Sequence, residues 1–198
     1  MTNATGTTTA AGPDPGATRR AAGLARVREL GAADHGLAVL VTPRRPGPGT
    51  GADAAAEDPA VSLVNAGVLP HPRTGEPVVA FVARGGTAKL ANLRARPRAT
   101  LVFRAGWEWV AVRGPVELAG PDDPLPGLAD PERLRLLLRE VYAAAGGNHP
   151  DPAEYDRVMA EDRRVVVLLH PERFSTNPPG AEHVEPADRP AVPAGGRR

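Results

Sequence analysis

The chemistry-bearing residues of this chain gather in one stretch. Between Arg84 and Arg113 stand Arg84, Lys89, Arg94, Arg96, Arg98, Arg104 and Arg113 against one acid, Glu108, in a chain of 198 residues whose formal net charge is only +1. Lys89 is the only lysine in a chain that otherwise uses arginine. A Gly85-Gly86 turn runs into Thr87, a residue suited to the N-cap of a helix. Free backbone N–H groups, a hydroxyl and an ammonium then converge, the makeup of an anion site for a phosphate or carboxylate. A capped helix with a solvated basic face fits the same residues, and both readings stay open at this point.

Other signals are weaker. Trp107 and Trp109 stand two apart on an expected strand, so they share a face, either in a core or interface or as a wall against a planar ring. The five histidines, 35, 71, 149, 170 and 183, show no ligand spacing and no accompanying carboxylate cluster, so no metal site is expected. Ser62 lies in no G-x-S-x-G elbow, and Gly85-Gly86 is no G-x-G-x-x-G loop. No side chain is assigned a catalytic role. If the protein is an enzyme, a bound cofactor supplies the chemistry. The basic stretch lacks interleaved aromatics of the kind that stack on bases, so nucleic acid is not an expected partner.

The elements that position these residues can be read from periodicity and breakers. Pro and Gly number 23 and 22, and they cluster. Residues 1–18 and 178–198 read as disordered tails and Pro43–Pro59 as a surface loop, which leaves residues 19–177 as one domain. Helices are expected over Arg19–Ala32, from Ala88 to Arg96, after Asp130-Pro131, and from the Asp151-Pro152 cap to Glu161. Strands are expected over Gly36–Val41, Ala60–Leu69, Val78–Arg84, Arg98–Arg104, Trp107–Ala119 with a break at Gly114-Pro115, and Arg163–His170. Short connections between strands favour an antiparallel sheet or barrel. No apolar stretch has the length of a membrane span, the N-terminus lacks a secretory pattern and cysteine is absent, so the expected compartment is the cytoplasm.

The run Arg84-Gly-Gly-Thr-Ala-Lys-Leu-Ala-Asn-Leu-Arg-Ala-Arg-Pro-Arg-Ala-Thr-Leu101 resembles the signature of the pyridoxamine 5'-phosphate oxidase-like split-barrel superfamily. It is most similar to the branch that uses the deazaflavin coenzyme F420 in place of FMN. Gly106–Gly114, Ala145–Asp151 and the stretch from Tyr155 through Met159 to Arg163-Arg164-Val165 agree with that branch, and the resemblance covers about Leu24 to Pro178. It implies a mainly β (α+β) fold, a six-stranded antiparallel split β-barrel with flanking helices. It also implies a homodimer with the cofactor in a groove between subunits. On this resemblance the phosphate and acidic tail lie around Thr87, Ala88 and Lys89, with Asn92 one turn on, and Arg84 and Arg94 draw in the tail. The strand bearing Ser62, Val64 and Asn65 lies along the ring, and Trp107 stands near the pocket. Two features depart from the family: Thr87 replaces a basic residue of some members, and the Pro43–Pro59 loop is longer than the usual hairpin. The implied activity is hydride transfer between F420 and a small organic substrate. An FMN-dependent oxidase or reductase, or a non-catalytic cofactor-binding protein, is the alternative.

Overall fold

In the computed structural model, which describes residues 14–45 and 59–177, the elements follow in the expected order. Helix α1 (Pro15–Ala33) precedes β1 (Leu37–Thr42), β2 (Ala60–Pro70) and β3 (Pro77–Ala83). Then come α2 (Ala88–Ala95), β4 (Arg98–Ala105), β5 (Glu108–Ala119), α3 (Pro131–Ala144), α4 (Pro152–Glu161), β6 (Val165–Leu169) and β7 (Arg173–Thr176). The expected tails over 1–13 and 178–198, and most of the Pro43–Pro59 loop, lie outside the described residues.

Six antiparallel strands close on themselves in the order β1-β2-β3-β6-β5-β4, with β4 returning to β1. The barrel is split because two long strands change partner midway. β2 pairs with β1 up to Asn65 and with β3 from Ala66 onward. β5 pairs with β4 up to Pro115 and with β6 from Val116, so the Gly114-Pro115 break marks a barrel corner.

Alternation decides what each strand buries. Leu40, Phe81, Leu101, Phe103, Val112 and Val167 fill the interior and are fully buried. β6 is apolar at every position because both of its faces are covered: Val165, Val167 and Leu169 face the interior, while Val166 and Leu168 meet α3 and α4. Leu137, Leu138 and Val141 form the buried stripe of α3, and Leu24, Val27 and Leu30 that of α1, at the expected helical spacing. α3 runs so close to β2 that a Cβ on Gly67 would lie 2.1 Å from the Ala144 carbonyl oxygen.

Three expectations are corrected. α1 begins at Pro15, inside the stretch read as a tail, because Asp14 caps it by accepting from the N–H groups of Gly16 and Ala17. A seventh strand, β7, pairs with β5 beside β4, and its Phe174 packs against the barrel core. Trp107 sits in the Gly106-Trp107 turn and is 65% exposed, so it does not share a strand face with Trp109.

Candidate functional site

The β3–α2 turn and the corner between α4 and β6 interlock. Gly86 takes a φ of +72°, the left-handed region that glycine enters freely. Gly85 donates its N–H to the Asp162 carbonyl at 3.0 Å, and a Cβ there would lie 2.7 Å from the Arg163 carbonyl oxygen. Arg163 itself is left-handed, with φ +47°. This docking sets Arg84 beside Asp162 (Nη2 to Oδ1, 3.0 Å), while Arg164 binds the other carboxylate oxygen through Nη2 at 2.8 Å and Nε at 3.1 Å.

Lys89, two residues beyond the Thr87 N-cap, is half-buried in the first turn of α2. Burial holds its ammonium below the usual lysine range, and the nearby Arg164 charge adds to that effect. Among the described residues Lys89 has no hydrogen-bond or acidic partner. Arg84 and Arg164 therefore share the Asp162 carboxylate, and Lys89 adds a third cation beside Arg164. Thr87 leaves the helix start without a side-chain cap, because its hydroxyl donates instead to the Arg84 carbonyl at 2.9 Å.

Beyond Arg164 opens a cleft of about 500 Å³, walled by Asn65, Val82, Tyr142, Tyr155 and Met159. The two tyrosine rings lie 4.9 Å apart and present an aromatic wall. Burial pushes the Tyr155 hydroxyl up to about 12, and it donates to the Leu138 carbonyl at 3.1 Å, so it is a neutral, structurally engaged phenol. Asn65 donates to the carbonyl of His35, another left-handed residue, at 2.9 Å.

The structure brings Arg84, Thr87, Ala88 and Lys89 to one corner and sets Asn65 in the adjoining cleft. Ser62 takes the opposite face of β2 from Asn65, as their spacing of three requires. Asn92 is buried and turned inward: its amide donates to the Thr42 hydroxyl at 3.2 Å and accepts the Arg45 N–H at 2.9 Å. Arg94 is held in a bidentate pair by Asp123 at 2.7 and 2.8 Å. Trp107 is not among the residues that line the cleft. Sequence reasoning noted the Arg163-Arg164 doublet as a resemblance but did not place Arg164, or Asp162, in the site. A paired charge just before an all-apolar strand was the available signal.

The histidines are not all scattered, contrary to the sequence expectation. His71, Glu117 and His170 meet at the far end of β6, with their possible ligand atoms within 4.8 Å of one another. The proton inventory argues against a cation there. The His71 Nδ1 accepts the N–H groups of Arg73 and Thr74 at 3.2 and 3.3 Å, so its proton sits on Nε2, which faces Glu117 at 3.5 Å. His170 approaches the same carboxylate at 3.2 Å and Arg73 at 3.0 Å, while the buried Nε2 atoms of both histidines make no hydrogen bond among the described residues.

No family model matches the chain. Among solved structures it is similar to a pyridoxamine 5'-phosphate oxidase-related, FMN binding protein from Nostoc punctiforme. Identity there is 18% over 84% of this chain and 86% of that one, with a TM-score of 0.49. A structure described as F420 reductase is 21% identical over 72% of this chain and 91% of the other, at TM-score 0.43. A heme binding protein from Mycobacterium smegmatis is 18% identical over 78% and 53% of the two chains, at TM-score 0.48. The barrel itself is shown by the strand pairing described above.

Proposed function

We propose that this chain is an oxidoreductase that binds a flavin-type cofactor, coenzyme F420 in the first reading and FMN in the second, and acts on a small organic substrate. The observation that carries the proposal is the half-buried Lys89, without an acidic partner among the described residues, next to Arg164 at the edge of an aromatic-walled cleft. Burying unneutralised cations is costly unless an anion joins them. A phosphate-bearing planar ring fits such a corner: the cations would hold the phosphate, and the cleft would hold a flat apolar body.

When bound, the ring supplies the hydride chemistry. The chain's own part is to anchor and orient. Lys89 and Arg164 would fix the anionic end, and Arg84 stands farther out toward solvent. Tyr142 and Tyr155 exclude water from one side. No titratable side chain of the cleft is assigned a proton-transfer role.

The proposal includes a second copy of the chain. On the outer face of β1 and β2, Val61 and Leu63 are 65% and 61% exposed and Leu37 is 37% exposed, apolar surface that a homodimer would cover. It also places the protein in the cytoplasm. Among the described residues no helix is long and apolar enough to cross a membrane.

The test is titration of purified protein with F420 and with FMN, followed by ring fluorescence and absorbance, and then a search for turnover with the cofactor that binds. Saturable F420 binding supports the first reading. Binding of FMN alone moves the assignment to FMN, binding without turnover to a carrier, and binding of neither overturns the proposal.

A further inference from the structure

We propose that the small organic substrate of this barrel is an apolar monocarboxylate. A second groove, between α1 and α3, holds it with the carboxylate on Arg28 and the apolar body directed toward the cleft. As a substrate assignment this rests on the cofactor reading above and deepens it.

The groove follows from how the backbones pack. α1 and α3 both contact β2. Gly31, Gly36, Ala66, Gly67 and Ala144 line a hollow of about 390 Å³ between them. A Cβ on Gly36, which has φ +71°, would lie 2.7 Å from the carbonyl oxygens of Ala66 and Ala145. Small side chains along this seam keep the hollow open, and Val27 and Val68 make its walls apolar.

Charge then selects the occupant. Arg28 and His35 are the only titratable residues that line the groove, and no acid lines it. Arg28 is exposed and has no ion pair or hydrogen bond among the described residues, whereas Arg26 is held by Glu29 and Glu108, each at 2.7 Å. An apolar hollow with one unopposed guanidinium suits an apolar body that carries one carboxylate, which the planar fork meets at two points. A phosphate dianion would call for a second fixed cation, and the groove has one arginine and no lysine.

His35 sets the direction. With Ala145 and Gly146 it lines both this groove and the ring cleft, so the two hollows adjoin along that ridge. Its φ of +48° is uncommon for a residue with a side chain, and Asn65 holds the turn by donating to its carbonyl at 2.9 Å. The imidazole has no partner among the described residues. An acid anchored on Arg28 therefore reaches the cleft past an imidazole that is free to hydrogen-bond it.

The experiment titrates the full chain calorimetrically with benzoate, hexanoate and their uncharged amides. Wild type is compared with Arg28→Gln, Arg28→Lys and Ala32→Phe. Ala32 is an exposed lining residue, so Phe there fills the groove without entering the core, and the melting temperature checks the fold. In wild type at least one acid binds about fivefold or more tighter than its amide, Arg28→Gln brings the two within about twofold, and Arg28→Lys keeps part of the difference. Ala32→Phe weakens acid and amide alike by about tenfold or more. The benzoate and hexanoate arms separate an aromatic body from a linear one. No acid preference in wild type, a preference that survives Arg28→Gln, or acid binding unchanged by Ala32→Phe overturns the inference. Titrations of the same variants with F420 and FMN keep the two readings apart. A bound ring with no acid binding overturns this inference alone. Acid binding with neither ring bound overturns the cofactor reading and leaves Arg28 and the groove as a carboxylate site.

Discussion

Replacing Lys89 with Met should separate function from stability in opposite directions. Met keeps the unbranched stem and removes only the charge. In the free protein that charge has no acid to lose among the described residues, while burial and the Arg164 charge both act against it. Relief of that cost leaves the variant as stable as wild type or more stable by up to roughly 1 kcal/mol, a partly exposed group being well screened. For a domain of this size that is a rise of up to about 2–4 °C in melting temperature. Loss of one charged contact to a bound phosphate costs about 1.5–3 kcal/mol, so affinity falls by about tenfold to a hundredfold. The pH dependence follows from the same shift. The folded protein releases the Lys89 proton more readily than the unfolded chain, so wild-type stability rises with pH in the window below the ordinary value of 10.5. The gap between variant and wild type therefore narrows as the pH approaches that value. Thermal melts from neutral pH to pH 10.5, with and without cofactor, read both effects. A variant that melts several degrees lower with unchanged affinity refutes the reasoning and makes Lys89 a structural residue.

Three other perturbations follow from the packing. Leu63→Glu places a charge on the exposed β1–β2 face and should convert a dimer to monomers in light scattering; an unchanged mass denies that face to the second copy. Gly67→Ala drives a Cβ to 2.1 Å from the Ala144 carbonyl oxygen and should cost about 1–3 kcal/mol, read as a drop in melting temperature. An unchanged melt would mean that α3 does not sit against β2. Burial holds the His71 imidazole below its usual value against the pull of Glu117, so the unfolded chain takes up a proton first and stability is lost as pH falls below 6.5. His71→Asn, which can accept the same two N–H groups, should flatten that slope; a slope that persists assigns it to other groups.

Much of the fold was legible because its signals are local. Six strands announced themselves by alternation or by short apolar runs between breakers, and the helices by period and cap. The same logic explains why the sequence predicts a later start for α1 than the structure has. Asp14-Pro15 is the same cap signal as Asp130-Pro131 and Asp151-Pro152, but it lies in a run of Ala, Gly and Thr without apolar period. β7 is four residues long and exists by pairing with β5, which its own sequence does not reveal. The site divided in the same way. Thr87, Ala88 and Lys89 are contiguous, so their convergence could be read. Asn92 shows the limit: one turn along a helix specifies an angle, and here that angle points to Thr42 and Arg45 in the interior. His71, Glu117 and His170 come from three segments joined only by barrel register, which no spacing rule for metal ligands tests.

Register also explains why the cation corner is well defined. Ala83 pairs with Val165, so the residues just beyond, Arg84 and Arg164, leave adjacent antiparallel strands at the same end. β6 is buried on both faces, yet the faces are not equivalent: Val167 lies against the tight barrel interior and Leu168 against the helices. A one-residue slip would exchange those sets and carry Arg164, with Asp162, away from Arg84 and Lys89. The energy that holds the two strands together comes from eight buried Val, Leu and Phe side chains on β3 and β6, at about 1.5–3 kcal/mol each on full burial. That far exceeds the repulsion among three partly screened cations. The barrel can therefore hold like charges together at its rim before any anion arrives, which is the condition an anion-binding corner has to meet.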